Sequence, residues 1–122
     1  MPNPPLIAIV DNDPNVLASL SDLLESAAYD TRTFISVASF LTAGFEGVDL
    51  LITDIGMPGL DGFELRDAVR NANPDLPVLL ITGRHEIVDE ERAKGAGGFL
   101  RKPFDGDRLV SVVQGTLASG QA

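Results

Sequence analysis

Acidic, hydroxyl and basic side chains fit for phosphate chemistry fall at four places in the sequence. These are Asp11-Asn12-Asp13, Thr53-Asp54, Thr82-Gly83 and Arg101-Lys102-Pro103, each at the end of a short apolar run. Carboxylates brought together repel one another, so such a cluster is costly unless a cation joins it. Magnesium is the hard, oxygen-loving ion suited to a few acids plus phosphate, and it keeps several waters. A carboxylate beside that ion can attack phosphorus and form an acyl phosphate. The ion and the Lys102 ammonium would offset charge building on the phosphoryl oxygens, and the Thr82 hydroxyl would hydrogen-bond one of them.

Each residue also has an ordinary explanation. Asp13 before Pro14 is a favoured helix N-cap, Asp54 before a loop is a turn former, and Thr82 is a β-branched strand residue. Lys102 before Pro103 reads as a solvated surface lysine. Those explanations lose force together, because they do not account for all four sites arriving at one edge of a sheet.

That shared edge follows from the order of elements. Leu6–Val10 (Leu-Ile-Ala-Ile-Val), Leu50–Thr53 and Val78–Thr82 are near-continuous apolar runs, the pattern of strands buried on both faces. Tyr29–Phe34 is weaker, with Thr31 and Thr33 alternating with polar neighbours, and reads as an edge strand with Tyr29 half-buried beside it. Gly98–Arg101 is a short fifth strand. Between them, Asp13-Pro14 opens a helix striped by Val16, Leu17, Leu20, Leu23, Leu24 and Ala27. Ser36 caps a helix carrying Val37, Phe40, Leu41 and Phe45. After a tight loop marked by Pro58-Gly59 and Asp61-Gly62, Phe63–Asn71 reads as helix, with Phe63, Leu65, Ala68 and Val69 apolar. Ile87–Lys94 is a charged helix, with Asp89-Glu90-Glu91-Arg92 as its exposed face. Asp105–Leu117 is the last helix, with Leu109, Val112, Val113 and Leu117 inward. Strict alternation of this kind predicts a (βα)5, doubly wound, five-stranded parallel sheet, because each right-handed crossover must pack back onto it. In such sheets ligands bind outside the carboxyl ends of the strands.

Composition fits one domain over residues 1–122, with a core from about 6 to 117 and a frayed tail at 119–122. The hydrophobic fraction of 44% suits a globular chain. No apolar run approaches the ~20 residues of a membrane helix, and the first residues lack the basic start of a secretory signal. There is no cysteine, hence no disulfide and no thiolate metal site. Nine basic against eighteen acidic residues leave a net charge of −9, which disfavours direct binding to nucleic acid or to an anionic membrane. A soluble cytoplasmic protein is expected. The single histidine, His85, lies in a polar loop and is assigned no role.

From Leu6 to Leu117 the sequence closely resembles the receiver domains of bacterial two-component response regulators, particularly the nitrogen-fixation and LuxR-type transcriptional group. The resemblance rests on Ile-Val-Asp-Asn-Asp-Pro at 9–14, Leu-Ile-Thr-Asp-Ile-Gly-Met-Pro-Gly-Leu-Asp-Gly at 51–62, Leu-Leu-Ile-Thr-Gly at 79–83 and Gly-Ala-Gly-Gly-Phe-Leu-Arg-Lys-Pro-Phe at 95–104. It implies the strand order 2-1-3-4-5 known for chemotaxis members of this fold. It implies Asp54 as phosphoacceptor and Asp11, Asn12, Asp54 and the Gly56 carbonyl around magnesium (or manganese), with Asp13 a further candidate. Lys102 would reach the phosphoryl group through a cis peptide to Pro103. Thr82 would be the switch hydroxyl and Phe99 its aromatic partner, reshaping the face of the fourth helix, fifth strand and fifth helix. Implied partners are a sensor histidine kinase or histidine phosphotransfer protein, and a second copy through that same face. The domain would be a signalling switch rather than an enzyme, acting only on its own Asp54.

Two departures matter. The family usually has two adjacent acids after the first strand, and here the second is Asn12, which removes a negative charge from the metal site. Either magnesium binds weakly or the unphosphorylated state already leans toward the active form. The stretch from Thr82 to Gly95 is also a couple of residues shorter than usual, so the fourth helix should be short or displaced. Rival readings are a degenerate receiver that only binds a partner, and a haloacid-dehalogenase-type phosphatase with Asp11 as nucleophile and Asp13 as acid/base. A flavodoxin relative would need hydroxyls and glycines where Asp11-Asn12-Asp13 presents acids. The sequence leaves open whether this is a stand-alone receiver or the first domain of a longer regulator.

Overall fold

Leu6–Val10 (β1), Leu50–Asp54 (β3) and Val78–Thr82 (β4) form the centre of a parallel sheet, as their unbroken apolar content requires. Asp30–Phe34 (β2) pairs with the outer side of β1, and Phe99–Arg101 (β5) with β4, giving the order β2-β1-β3-β4-β5. The expected strand order is therefore borne out. The helices are α1 (Pro14–Ser26), α2 (Val37–Ala43), α3 (Gly62–Ala72) and α4 (Gly106–Gly120). The computed structural model describes residues 4–44, 46–54, 62–82, 99–101 and 106–120. The helix expected at Ile87–Lys94 lies outside them, so α4 denotes the C-terminal helix.

Alternation along the strands divides the core in two. Ala8, Val10, Leu51, Val78 and Leu80 pack with Val37 and Phe40 of α2 and Leu65 and Val69 of α3. Ile7, Ile9, Leu50, Ile52, Leu79 and Ile81 pack on the other side with Leu17, Leu20 and Leu24 of α1 and Leu109, Val113 and Leu117 of α4. Each fully buried side chain of this size contributes about 1.5–3 kcal/mol before ordering costs are subtracted.

The helix ends follow local chemistry. Asp13 is extended (φ −100°, ψ 110°) and accepts the Asn15 N–H, with Pro14 opening α1. At the far end the Tyr29 N–H donates to Leu24 O and the Ala28 N–H to Glu25 O, both at 3.0 Å. This is a Schellman turn, and the residue bearing its positive φ of 73° is Ala28, where glycine is usual. Ser36 accepts the Ser39 N–H to start α2. Phe40 of that helix meets Phe34 edge-on, ring centroids 5.3 Å apart.

Three expectations need correction. Leu41, read as one of the apolar residues carried by α2, is 43% exposed. It sits about 100° round the helix from Phe40, and this short helix buries only the stripe of Val37 and Phe40. Ala68 is exposed beside buried Val69, its small side chain having little area to bury. The tail expected from Ser119 is partly helical, since α4 runs to Gly120; neither Ala118 nor Ser119 breaks a helix.

Candidate site at the carboxyl edge of the sheet

Strand register sets the geometry of this edge. Val10 pairs with Thr53, Thr53 with Leu80 and Leu80 with Phe99, forming one row across the four strands. The next row outward holds Asp11, Asp54, Ile81 and Leu100, in which Asp54 pairs with Ile81 and Ile81 with Leu100. One row further out, Thr82 pairs with Arg101, the residue immediately before Lys102 in the chain. Acids thus occupy neighbouring strands at the same level, with a threonine one step beyond.

Asp11 is held there by backbone. Its N–H donates to Phe34 O at 3.1 Å, extending the β1–β2 ladder one bond past the end of β1. The residue is 0% exposed, and its Oδ1 accepts the Asp13 N–H at 2.9 Å. That bond is an Asx-turn, which orients the carboxylate and compensates part of its lost hydration. The role of the Asp13 N–H is absent from the sequence reading, although the Asp-x-Asp spacing carries the signal for it.

Asn12 is exposed at this edge. Asp13 is exposed too, and its Oδ1 accepts the Asn15 N–H at 2.9 Å while its carbonyl accepts from Leu17 at 3.1 Å. The ordinary explanation of Asp13 as N-cap is therefore correct. Asp54 is half-buried at the end of β3, one residue further than that strand was expected to reach. Buried Thr53 donates its hydroxyl to Asp54 O at 3.3 Å. Asp54 follows Leu50 and Ile52 in strand alternation, and so lies on the side of the sheet covered by α1 and α4. Phe99, opposite Leu80, is placed by its backbone alone. Gly56, Gly83, His85, Lys102 and Pro103 lie outside the described residues.

Among the described residues no group of three or more acids or histidines forms an all-protein metal cage. Two carboxylates on adjacent strands, with an amide beside them, instead suit an ion that keeps most of its waters. Magnesium is such an ion, bound through one or two carboxylates plus substrate phosphate. The donor set fits it.

A five-stranded sheet in this order, acidic at its carboxyl edge, defines a flavodoxin-like α/β domain of the chemotaxis-protein type. The response regulator receiver domain model matches residues 7–114, and the chain belongs to that family. It is 32% identical over 119 residues to the transcriptional regulatory protein FixJ of Bradyrhizobium diazoefficiens, covering 94% of this chain and 58% of that protein. A response regulator receiver domain protein from Clostridium thermocellum superimposes with a TM-score of 0.86 at 25% identity, covering 96% of this chain and 97% of the other. The beryllofluoride-activated NtrC4 receiver domain, solved as a dimer, gives 0.87 at 25% identity over 94% and 98%. The curated relatives include proteins of which this chain spans 58% and others of which it spans 24%. No described helix is long and apolar enough to cross a membrane.

Proposed function

We propose that this receiver domain takes a phosphoryl group on Asp54 from a histidine kinase, a histidine phosphotransfer protein or a small phosphodonor. The observation that carries the reading is the row that sets half-buried Asp54 beside fully buried Asp11 at the carboxyl edge. A carboxylate oxygen of Asp54 attacks phosphorus, the bond from phosphorus to the donor's leaving group breaks, and an acyl phosphate results. Asp11, with Asn12 and the Gly56 carbonyl, would hold magnesium or manganese, which when bound supplies positive charge against the phosphoryl oxygens. Asp11 needs no reorganisation for that task, because the Asp13 N–H already fixes its carboxylate. Lys102, next in sequence after β5, would add a second positive charge. Thr82, one row out, would hydrogen-bond the new phosphoryl group.

Signalling then follows as a shift between two conformations, with Thr82 and Phe99 as the switch pair on β4 and β5. The phosphoryl group acts only through contacts that favour one state over the other. The face built on β5 and its flanking helices would carry the change to a second copy or to an output domain, in the cytoplasm. The self-catalysed gain and loss of phosphate is the only reaction assigned to the chain.

Intact mass after brief exposure to acetyl phosphate, with and without magnesium, tests this on the wild type and Asp54→Ala. A magnesium-dependent gain of one phosphoryl group that Asp54→Ala abolishes is expected. No gain at high magnesium would favour an unphosphorylated interaction module, the reading to which Asn12 lends support. A gain in both proteins would move the acceptor elsewhere, with Asp11 next in line.

A further inference from the structure

The place where two adjacent acids are expected holds Asn12, and the neighbouring Asp13 is the one residue on that turn able to replace the missing charge. Its carboxylate already serves another purpose. Oδ1 of Asp13 bonds the Asn15 N–H, its extended backbone starts α1, and its carbonyl accepts from Leu17. Turning that carboxylate toward the edge would strip the first turn of α1 of its cap. The Asp13 N–H is engaged as well, by Oδ1 of Asp11. Asp13 is thus tied at three points to roles in local structure, while Asn12 is exposed beside the acidic row with a neutral amide.

We infer that Asn12 sets the cation affinity of this receiver and that Asp13 does not compensate for it. The inference rests on the receiver reading of this site. Affinity for a hard divalent ion rises with the number of charged oxygen ligands, so two carboxylates and an amide hold magnesium more weakly than three carboxylates. The working consequence is a domain whose phosphorylation tracks free magnesium over a range in which a receiver with both acids would already be saturated. Exchange at Asn12 is free of packing cost because the side chain is exposed. Exchange at Asp13 is separable from capping because asparagine caps a helix as well as aspartate does.

Isothermal titration with magnesium chloride on the wild type, Asn12→Asp and Asp13→Asn reads the two residues apart, without relying on phosphorylation. Asn12→Asp should bind magnesium at least about tenfold more tightly, the lower bound for groups that act on a metal only through its ligands. Asp13→Asn should bind within about twofold of wild type, since it alters no ligand and keeps the cap. Equal affinity of Asn12→Asp and wild type would overturn the inference, as would a loss in Asp13→Asn comparable to the gain in Asn12→Asp. If none of the three binds magnesium while acetyl phosphate still phosphorylates Asp54, the inference fails and the receiver reading stands. If neither binding nor phosphorylation occurs, both fail.

Discussion

The amino and carboxyl ends of the sheet each carry an aspartate bonded to backbone, and the two are held very differently. At the amino end Asp49 is exposed; its Oδ2 accepts the Leu6 N–H at 2.8 Å, and its own N–H donates to Leu6 O at 2.8 Å. At the carboxyl end Asp11 is fully buried, with Oδ1 on the Asp13 N–H. Asp49 keeps much of its hydration, so joining β1 to β3 is reason enough for it. Asp11 gives up its hydration, and hydrogen bonds return only part of that cost. A capping or turn-forming role would be served as well by an exposed acid. The difference separates an exposed aspartate that ties two strands together from a buried one set level with Asp54 at the edge where the proposed chemistry falls.

Asp11→Asn tests that contrast most severely. Asparagine keeps an oxygen for the Asp13 N–H but removes the charge. Magnesium-dependent phosphorylation by acetyl phosphate should slow by about a hundredfold, the scale for losing one preorganised electrostatic group. The unfolding midpoint in chelator should not fall. A domain that melts early yet phosphorylates normally would make Asp11 another Asp49. A smaller effect is expected from Ala28→Gly, near the amino end, where the left-handed backbone costs an alanine about 1 kcal/mol. Urea denaturation should show a gain of about that size, with phosphorylation unchanged; no gain would mean the turn tolerates alanine without strain. The least effect belongs to Asp49→Ala, which should lose about 1 kcal/mol or less for one exposed hydrogen bond. Its phosphorylation rate should match wild type, and a marked loss of rate would erase the distinction between the two ends.

Much of this architecture was legible in the sequence because its central strands are buried on both faces and therefore read as apolar runs. The caps at Asp13 and Ser36 were legible for a similar reason, being short-range chemistry between a side chain and nearby N–H groups. Leu41 and Ala68 were not, since helical spacing locates a stripe but not its width. Ala28 hid its turn, because the usual glycine signal is missing. The grouping of Asp11 with Asp54 was legible once strand order was known. The bond from the Asp13 N–H to Asp11 was harder to see, because its donor is backbone and residue type points first to the Asp13 side chain. Lys102, Gly56 and the stretch 87–94 expected to be helical fall outside the described residues.

The Asp49–Leu6 clamp has a consequence far from where it sits. Parallel strands are free to pair in more than one alignment, and a slip of one residue would turn each strand's core set to the opposite face. The clamp indexes β1 against β3 at the first residue of β1, opposing that slip before the strands have run their length. From roughly 16 Å away, five residues at about 3.3 Å each, the clamp supports the level at which Asp11 meets Asp54. Its backbone bond and the apolar pattern of the strands keep that level when the Asp49 side chain is removed. Spacing and charge are consequently inherited from different ends of the molecule. On the proposed reading, substitution at Asn12 would retune cation binding without the strands ever losing count.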